Sequence, residues 1–200
     1  MLNLVLRVAA VAAFLATAVA LTLSAGVVLA AAAAGRRRLA RRALAVGGAW
    51  ALLYAALVLL GPLLVARRTL APGAELAFCD GIDCHLHVAV VGAGWPSGLE
   101  VRLRLRSDAR QALEYPAHLR VVAIDEAGHT YAPVAGDLRE PLAAGTAREV
   151  TLRFVLPKEA KSPRLIVHWG DWEDYLVPGP ESALTQRRTS LLLVPSGAAS

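Results

Sequence analysis

Residues 79–87 read Cys-Asp-Gly-Ile-Asp-Cys-His-Leu-His, two thiols and two imidazoles within nine positions. Three chemistries are open to such a group. Cys79, Cys84, His85 and His87 could offer soft and borderline ligands to Cu(I) or Zn(II), as a metal-binding or redox module would. The two cysteines could instead bond to each other across residues 80–83, whose Asp and Gly suit a tight turn. Or the segment is a plain strand entrance, with Leu86 and Val88 inward and both histidines outward, because residues two apart share a strand face. The metal set has a geometric difficulty. Cys84 leaves the face opposite to both histidines, and the spacing fits no standard zinc knuckle. Outside the cytoplasm a cysteine pair defaults to a disulfide, so Cys79–Cys84 is the expected pairing and no metal or other cofactor is expected.

A second cluster, His168 to Gly179, sets Trp169, Trp172 and Tyr175 beside Asp171, Glu173 and Asp174. Exposed aromatics among carboxylates make a partner patch; the same aromatics turned inward would cap a core and leave the acids to solvate a loop. The acids lack the glycine-spaced ladder of a calcium loop. Reaction motifs are missing. Ser97 in Gly-Trp-Pro-Ser-Gly (94–98) is out of place for a nucleophile elbow, and there is no phosphate-cradling glycine loop, zinc-protease helix or facing carboxylate pair. No catalytic residue is assigned, and the chain is not expected to be an enzyme.

The elements that must carry these clusters fall into two parts. No charged side chain occurs in the 27 residues from Val8 to Ala34, or in the 24 from Ala43 to Ala66. Each run exceeds the roughly 20 residues that cross a bilayer. They are expected to form a transmembrane hairpin over residues 1–68, with helices at about 8–34 and 43–66 and an Arg-rich loop at 35–42. The first run also has the layout of a signal peptide, although it is long for one, and cleavage near Ala34 would leave five arginines to be translocated. Small residues dominate both runs, which favours close helix packing. Neither holds an ionisable group, so a proton relay or ion path is not expected.

Arg36, Arg37, Arg38, Arg41 and Arg42 outnumber Arg7 at one flank and Arg67–Arg68 at the other. By the positive-inside rule the loop stays cytoplasmic and both chain ends lie outside. A multi-pass protein of the inner cell membrane, with its C-terminal domain extracytoplasmic, follows. Beyond residue 68 lie 13 basic and all 16 acidic residues, a net charge of −3. The sequence pI of 9.8 therefore belongs to the hairpin, and nucleic acid is not an expected partner.

After residue 68 the pattern turns to period two. In Leu-Glu-Val-Arg-Leu-Arg-Leu-Arg-Ser (99–107) apolar and charged residues alternate, as in a half-buried strand. Residues 84–91, 118–125, 149–156, 163–170 and 189–195 behave alike, and Glu126–Gly128 reads as a hairpin turn. Turn clusters separate them, and Ser-Asp-Ala-Arg-Gln-Ala-Leu-Glu-Tyr (107–115) has room for one short helical turn. Seven to nine strands over residues 69–200 predict an antiparallel, immunoglobulin-like β-sandwich.

Residues 73–94, 123–134, 152–167 and 175–193 together resemble the telokin-like, immunoglobulin-type sandwich domains of bacterial membrane-anchored proteins. Those domains carry a D-x-x-G-x-x-Y hairpin and a strand ending in F-x-[VL]-P, here Asp125, Gly128 and Tyr131, then Phe154 and Pro157. The resemblance covers about residues 70–195. It implies a sandwich outside the membrane and brings no functional motif with it. The expected function is a membrane-anchored binding or structural module whose partners are the lipid bilayer and an envelope or membrane protein. An accessory subunit that docks its hairpin against a larger complex is a further alternative.

Overall fold

The computed structural model describes residues 2–80, 83–95, 98–157, 160–171, 173–176 and 182–193. Two long helices come first, α1 (Leu2–Ala33) and α2 (Arg37–Leu64). Their apolar stretches, Val8–Ala33 and Arg37–Leu64, are long and apolar enough to cross a membrane. The turn between them is shorter than expected. Arg37, Arg38, Arg41 and Arg42 belong to the first turns of α2 rather than to a loop over 35–42, because arginine is a good helix former. The helices pack through small residues. A side chain at Gly47 would come within 3.0 Å of Ser24 Cβ, and Trp50 Nε1 donates to Thr17 Oγ1 at 3.3 Å.

Among the described residues ten strands follow: β1 (Arg68–Leu70), β2 (Leu76–Asp80), β3 (Asp83–Gly94), β4 (Leu99–Ser107), β5 (Leu119–Ile124), β6 (Thr130–Tyr131), β7 (Pro133–Ala135), β8 (Ala147–Phe154), β9 (Arg164–Trp169) and β10 (Thr189–Leu192). A four-residue helix, α3 (Ala183–Gln186), precedes β10, and 3₁₀ turns lie at Pro116–His118 and Glu173–Tyr175. Sheet A has the order β1-β10-β9-β5-β6 and sheet B the order β2-β3-β4-β8-β7. This is the expected β-sandwich behind two apolar helices. One pairing departs from the antiparallel rule: β1 runs parallel to β10, Arg68 opposite Thr189. Two more features were not legible in the pattern. Residues 108–115 form no helical turn: the chain bends at Arg110 and Gln111 and is then tied by a bridge between Glu114 and Leu142. The strands β1, β2 and β7 are too short or too irregular in period to announce themselves.

The alternation in β4 does what its pattern demands. Leu99, Val101, Leu103 and Leu105 are fully buried between the sheets, while Arg102 and Arg104 face solvent. Phe78, Leu86, Val88, Leu152 and Phe154 join them from sheet B, and Val121, Leu165, Val167 and Leu191 close the core from sheet A. Each such buried side chain contributes about 1.5–3 kcal/mol by leaving water.

The Asp125–Tyr131 hairpin has a clear physical basis. Asp125 is buried, and its carboxylate accepts from the His129 backbone N–H at 2.8 Å and from the Tyr131 hydroxyl at 2.9 Å. Gly128 turns the chain at φ +89°, a conformation costly for any side chain. Burial alone would raise the Asp125 pKa, but the hydrogen bonds from His129 and Tyr131 outweigh it and hold the carboxyl below its ordinary value.

Candidate functional site

The two clusters that stood out in the sequence meet at one end of the sandwich. Trp169, the last residue of β9, donates its indole N–H to the Cys79 carbonyl at 3.0 Å. Its ring stands edge-on to Phe78, centroids 5.5 Å apart at 80°, an arrangement aromatic quadrupoles favour. Its backbone N–H is taken by Gln186 Oε1 at 2.8 Å. Trp169 therefore turns inward and does not contribute to an exposed aromatic patch. Trp169 is only 9% exposed, because burying a large ring with its N–H satisfied outweighs leaving it in water. Tyr175 is half-buried against His168, and Trp172 lies outside the described residues, as does Ser97.

Cys79 and Cys84 are bonded to each other across the β2–β3 turn, with Cα atoms 3.8 Å apart. The four-residue metal set does not converge, since its sulfurs are committed to the bridge. Leu86 and Val88 are fully buried while the histidines face out, as strand parity requires. Neither histidine is simply solvated. His85 Nδ1 and His87 Nε2 each donate to the Asp108 carboxylate, at 3.0 and 2.8 Å. Next to them Glu75 binds Arg106 at 2.7 Å and Arg104 at 3.3 Å, with His87 Nδ1 3.8 Å away. The outer face of sheet B thus carries a continuous chain of ionisable groups from Glu75 through His87 and Asp108 to His85. Among the described residues no cluster of three or more His, Cys, Asp or Glu has the geometry to hold a metal ion.

Hydrogen bonds from His85 and His87 lower the Asp108 pKa against desolvation, and the Arg106 guanidinium does the same for Glu75. A depressed carboxylate pKa adds stability above the ordinary carboxylate range, and this is lost as pH falls through the folded-state value. Urea midpoints should therefore fall from pH 6 to pH 3 more steeply in the wild type than in Asp108→Asn. Equal slopes would show that the chain of charges contributes nothing.

Beside this network lies a cavity of about 400 Å³, lined by Cys79, His85, Ala112, Leu113, Glu114, Tyr115, His118, Trp169, Asp171 and Asp174. Three chain segments build it. The bridged turn supplies one wall. The segment after β4 supplies the second, pinned where Glu114 and Leu142 exchange backbone hydrogen bonds at 2.9 Å. The exit of β9 supplies the third. There Gly170 donates its N–H to the His118 carbonyl at 2.8 Å, and a Cβ at Gly170 would lie 2.5 Å from Arg120 Cγ and 2.9 Å from that carbonyl. Only glycine permits the approach. It brings His118 Nδ1 into a short pairing with the Asp171 carboxylate, with Tyr115 edge-on to the His118 ring. His168 is buried, and its pKa is lowered chiefly by desolvation, against its hydrogen bond to the Trp169 carbonyl and with the help of the nearby Arg187 and Arg120 charges.

Asp108, Glu114, Tyr115 and His118 did not stand out in the sequence. The partners of Asp108, Glu114 and His118 lie 21–53 residues away, and only the hairpin register carries a signal for Asp108. A bulge between Val90 and Gly92 shifts the β3–β4 ladder so that Ser107 opposes Leu86, which leaves Asp108 across from His85.

No family model matches the chain, and no curated protein matches it significantly. Two solved structures are similar at low identity. The secreted protein MPT63 from Mycobacterium tuberculosis is 15% identical over 54% of this chain and 92% of its own, with a TM-score of 0.39. An uncharacterized β-sandwich protein from Clostridium difficile 630 is 9% identical over 53% of this chain and 89% of its own, with a TM-score of 0.37.

Proposed function

We propose that this chain is a non-catalytic binding module, a telokin-like, immunoglobulin-type sandwich anchored in the inner membrane by its helical hairpin and exposed on the extracytoplasmic side. The observation that carries the binding role is the cavity beside the bridged turn. Its walls come from three separate segments, each fixed by a disulfide, a backbone bridge or a glycine contact, and preorganised walls lower the entropic cost of binding. Carboxylates, imidazoles and the exposed Leu113 and Tyr115 rim suit a partner segment that brings hydrogen-bond donors and an apolar anchor. Location rests on the clustered arginines at the start of α2 and on the disulfide, which persists in oxidising compartments.

Two measurements test this. A C-terminal reporter active only outside the cytoplasm should be active; activity only of a cytoplasmic reporter would overturn the placement. A photo-crosslinking residue at Leu113 or Tyr115, in the full chain in its own membrane, should give a discrete adduct that Asp171→Ala weakens severalfold. The same probe at Val134, exposed on β7, should give none. Adducts at Val134 alone, or turnover of a substrate that depends on the cavity carboxylates, would sink the binding reading.

A further inference from the structure

We infer that residues 110–113 form a hinged flap beside the cavity, latched at one hinge by Asp108 on His85 and His87, and that protonation of these imidazoles tightens the latch. The inference deepens the binding reading above by giving the cavity a regulated wall, and its first test needs no partner.

The chain leaves β4 at Ser107 and is tied twice before the 3₁₀ turn Pro116–His118. The first tie is at Asp108. Its N–H donates to the His85 carbonyl at 3.0 Å, and its carboxylate accepts from His85 Nδ1 at 3.0 Å and His87 Nε2 at 2.8 Å. Ala109 beside it is buried, its N–H donating to Ser107 Oγ at 3.2 Å. The second tie is the Glu114–Leu142 bridge. Between the ties Arg110, Gln111, Ala112 and Leu113 are all exposed. Two hollows adjoin this segment. Ala112 and Leu113 line the 400 Å³ cavity, while Arg110, Gln111 and Ala112 line a second one of about 640 Å³ that also takes in Asp108. His85 lines both. A short exposed segment with open space against it and a tie at each end lies at the low-stability end of a fold, and its ties set how far it moves.

Asp108 is the tie that protons can change. His87 donates through Nε2 to Asp108, and its Nδ1 faces Glu75 at 3.8 Å. A neutral imidazole has one N–H, so it turns a lone pair toward one of these carboxylates; a charged ring offers a donor to each. Charge-assisted hydrogen bonds are also the stronger ones. The neighbouring charges leave room for that proton. Arg104 and Arg106 of β4 are engaged by Glu75 at 3.3 and 2.7 Å, with Arg106 also 3.9 Å from Asp108. Glu149 of β8 lies opposite Arg104 in the ladder. Arg110 sits in the flap itself, and the first cavity adds Glu114, Asp171, Asp174 and His118. Imidazole is the side chain that charges between about pH 8 and pH 5. Asp108 stays ionised there, its pKa lowered chiefly by the hydrogen bond from His85. The latch therefore tightens as pH falls through the imidazole range, and is lost only as pH falls through the lowered Asp108 value.

The test uses the full chain in detergent with a nitroxide on Gln111→Cys, the native cysteines being bonded to each other. The label should tumble about twofold more slowly at pH 5.5 than at pH 7.5, the scale of an exposed ion pair. A label on Val134→Cys should not change. His85→Asn/His87→Gln keeps an N–H near each original donor but cannot charge, so it should show equal motion at both pH values. Asp108→Asn should do the same, and the two variants reach the latch from opposite sides, so one that does not fold leaves the other to decide. An unchanged wild-type label overturns the latch, as does a slowing that survives in a folded variant and so traces to His118 or another group. A working latch without any Leu113 crosslink would sink the binding reading instead, and crosslinks with an unchanged label would sink the latch alone.

Discussion

Trp169→Ala should lower unfolding free energy by about 3–5 kcal/mol, the range for truncating a buried indole, and this is the largest single-residue effect expected near the site. Three losses combine in it. The edge-on packing against Phe78 disappears, the Cys79 carbonyl loses its donor, and a void opens between the ends of the two sheets. Trp169→Phe separates these terms. It keeps a ring against Phe78 and removes only the N–H donor, so its cost should be near 1 kcal/mol. Urea unfolding of the full chain in detergent, followed by near-ultraviolet dichroism, reads both. If Trp169→Ala costs under 1 kcal/mol, Trp169 is not the joint between the β9 exit and the bridged turn.

Removing the Cys79–Cys84 bridge should cost about 2 kcal/mol, the chain-entropy value for so short a loop. Reductant or the double Cys79→Ser/Cys84→Ser variant should shift the urea midpoint alike, and the unreduced protein should show no reactive thiol. Because Trp169 binds the carbonyl of Cys79, the two effects are coupled. The combined variant Cys79→Ser/Cys84→Ser/Trp169→Ala should lose less than the sum of the separate losses. Strict additivity would mean that the indole hydrogen bond does not depend on the bridge. A midpoint unmoved by reductant would show that the turn holds its shape without the bond. The cavity should follow the same logic: with the bridge open, the Leu113 and Tyr115 crosslinks should weaken, since one wall is no longer fixed.

Local chemistry made much of this protein readable before folding. The two charge-free runs report helices long enough to cross a bilayer because hydrocarbon tolerates little else for that length. The alternation at Leu99–Ser107 reports a strand with one buried face because strand parity is a property of the backbone. The outward placement of His85 and His87 follows from the same parity, and the Cys79–Cys84 pairing from the short spacing of the two cysteines around a turn. These features depend on neighbours a few residues away.

Tertiary structure decided whatever depends on register or on contacts distant in the chain. Strand parity turns His85 and His87 outward, but only the bulge at Val90–Gly92 sets Asp108 across from His85, within reach of both imidazoles. The aromatic character of Trp169 fits a surface patch and a core equally well; the competition was settled by Phe78 and the Cys79 carbonyl, 90 residues away, which offer a dry, hydrogen-bonded seat. The parallel pairing of β1 with β10, which sets Arg68 opposite Thr189, has no local sequence signal, because β1 is only three residues long and its partner lies about 120 residues away in the chain. In each case the deciding contact is one that the chain makes only after its two sheets have closed on each other.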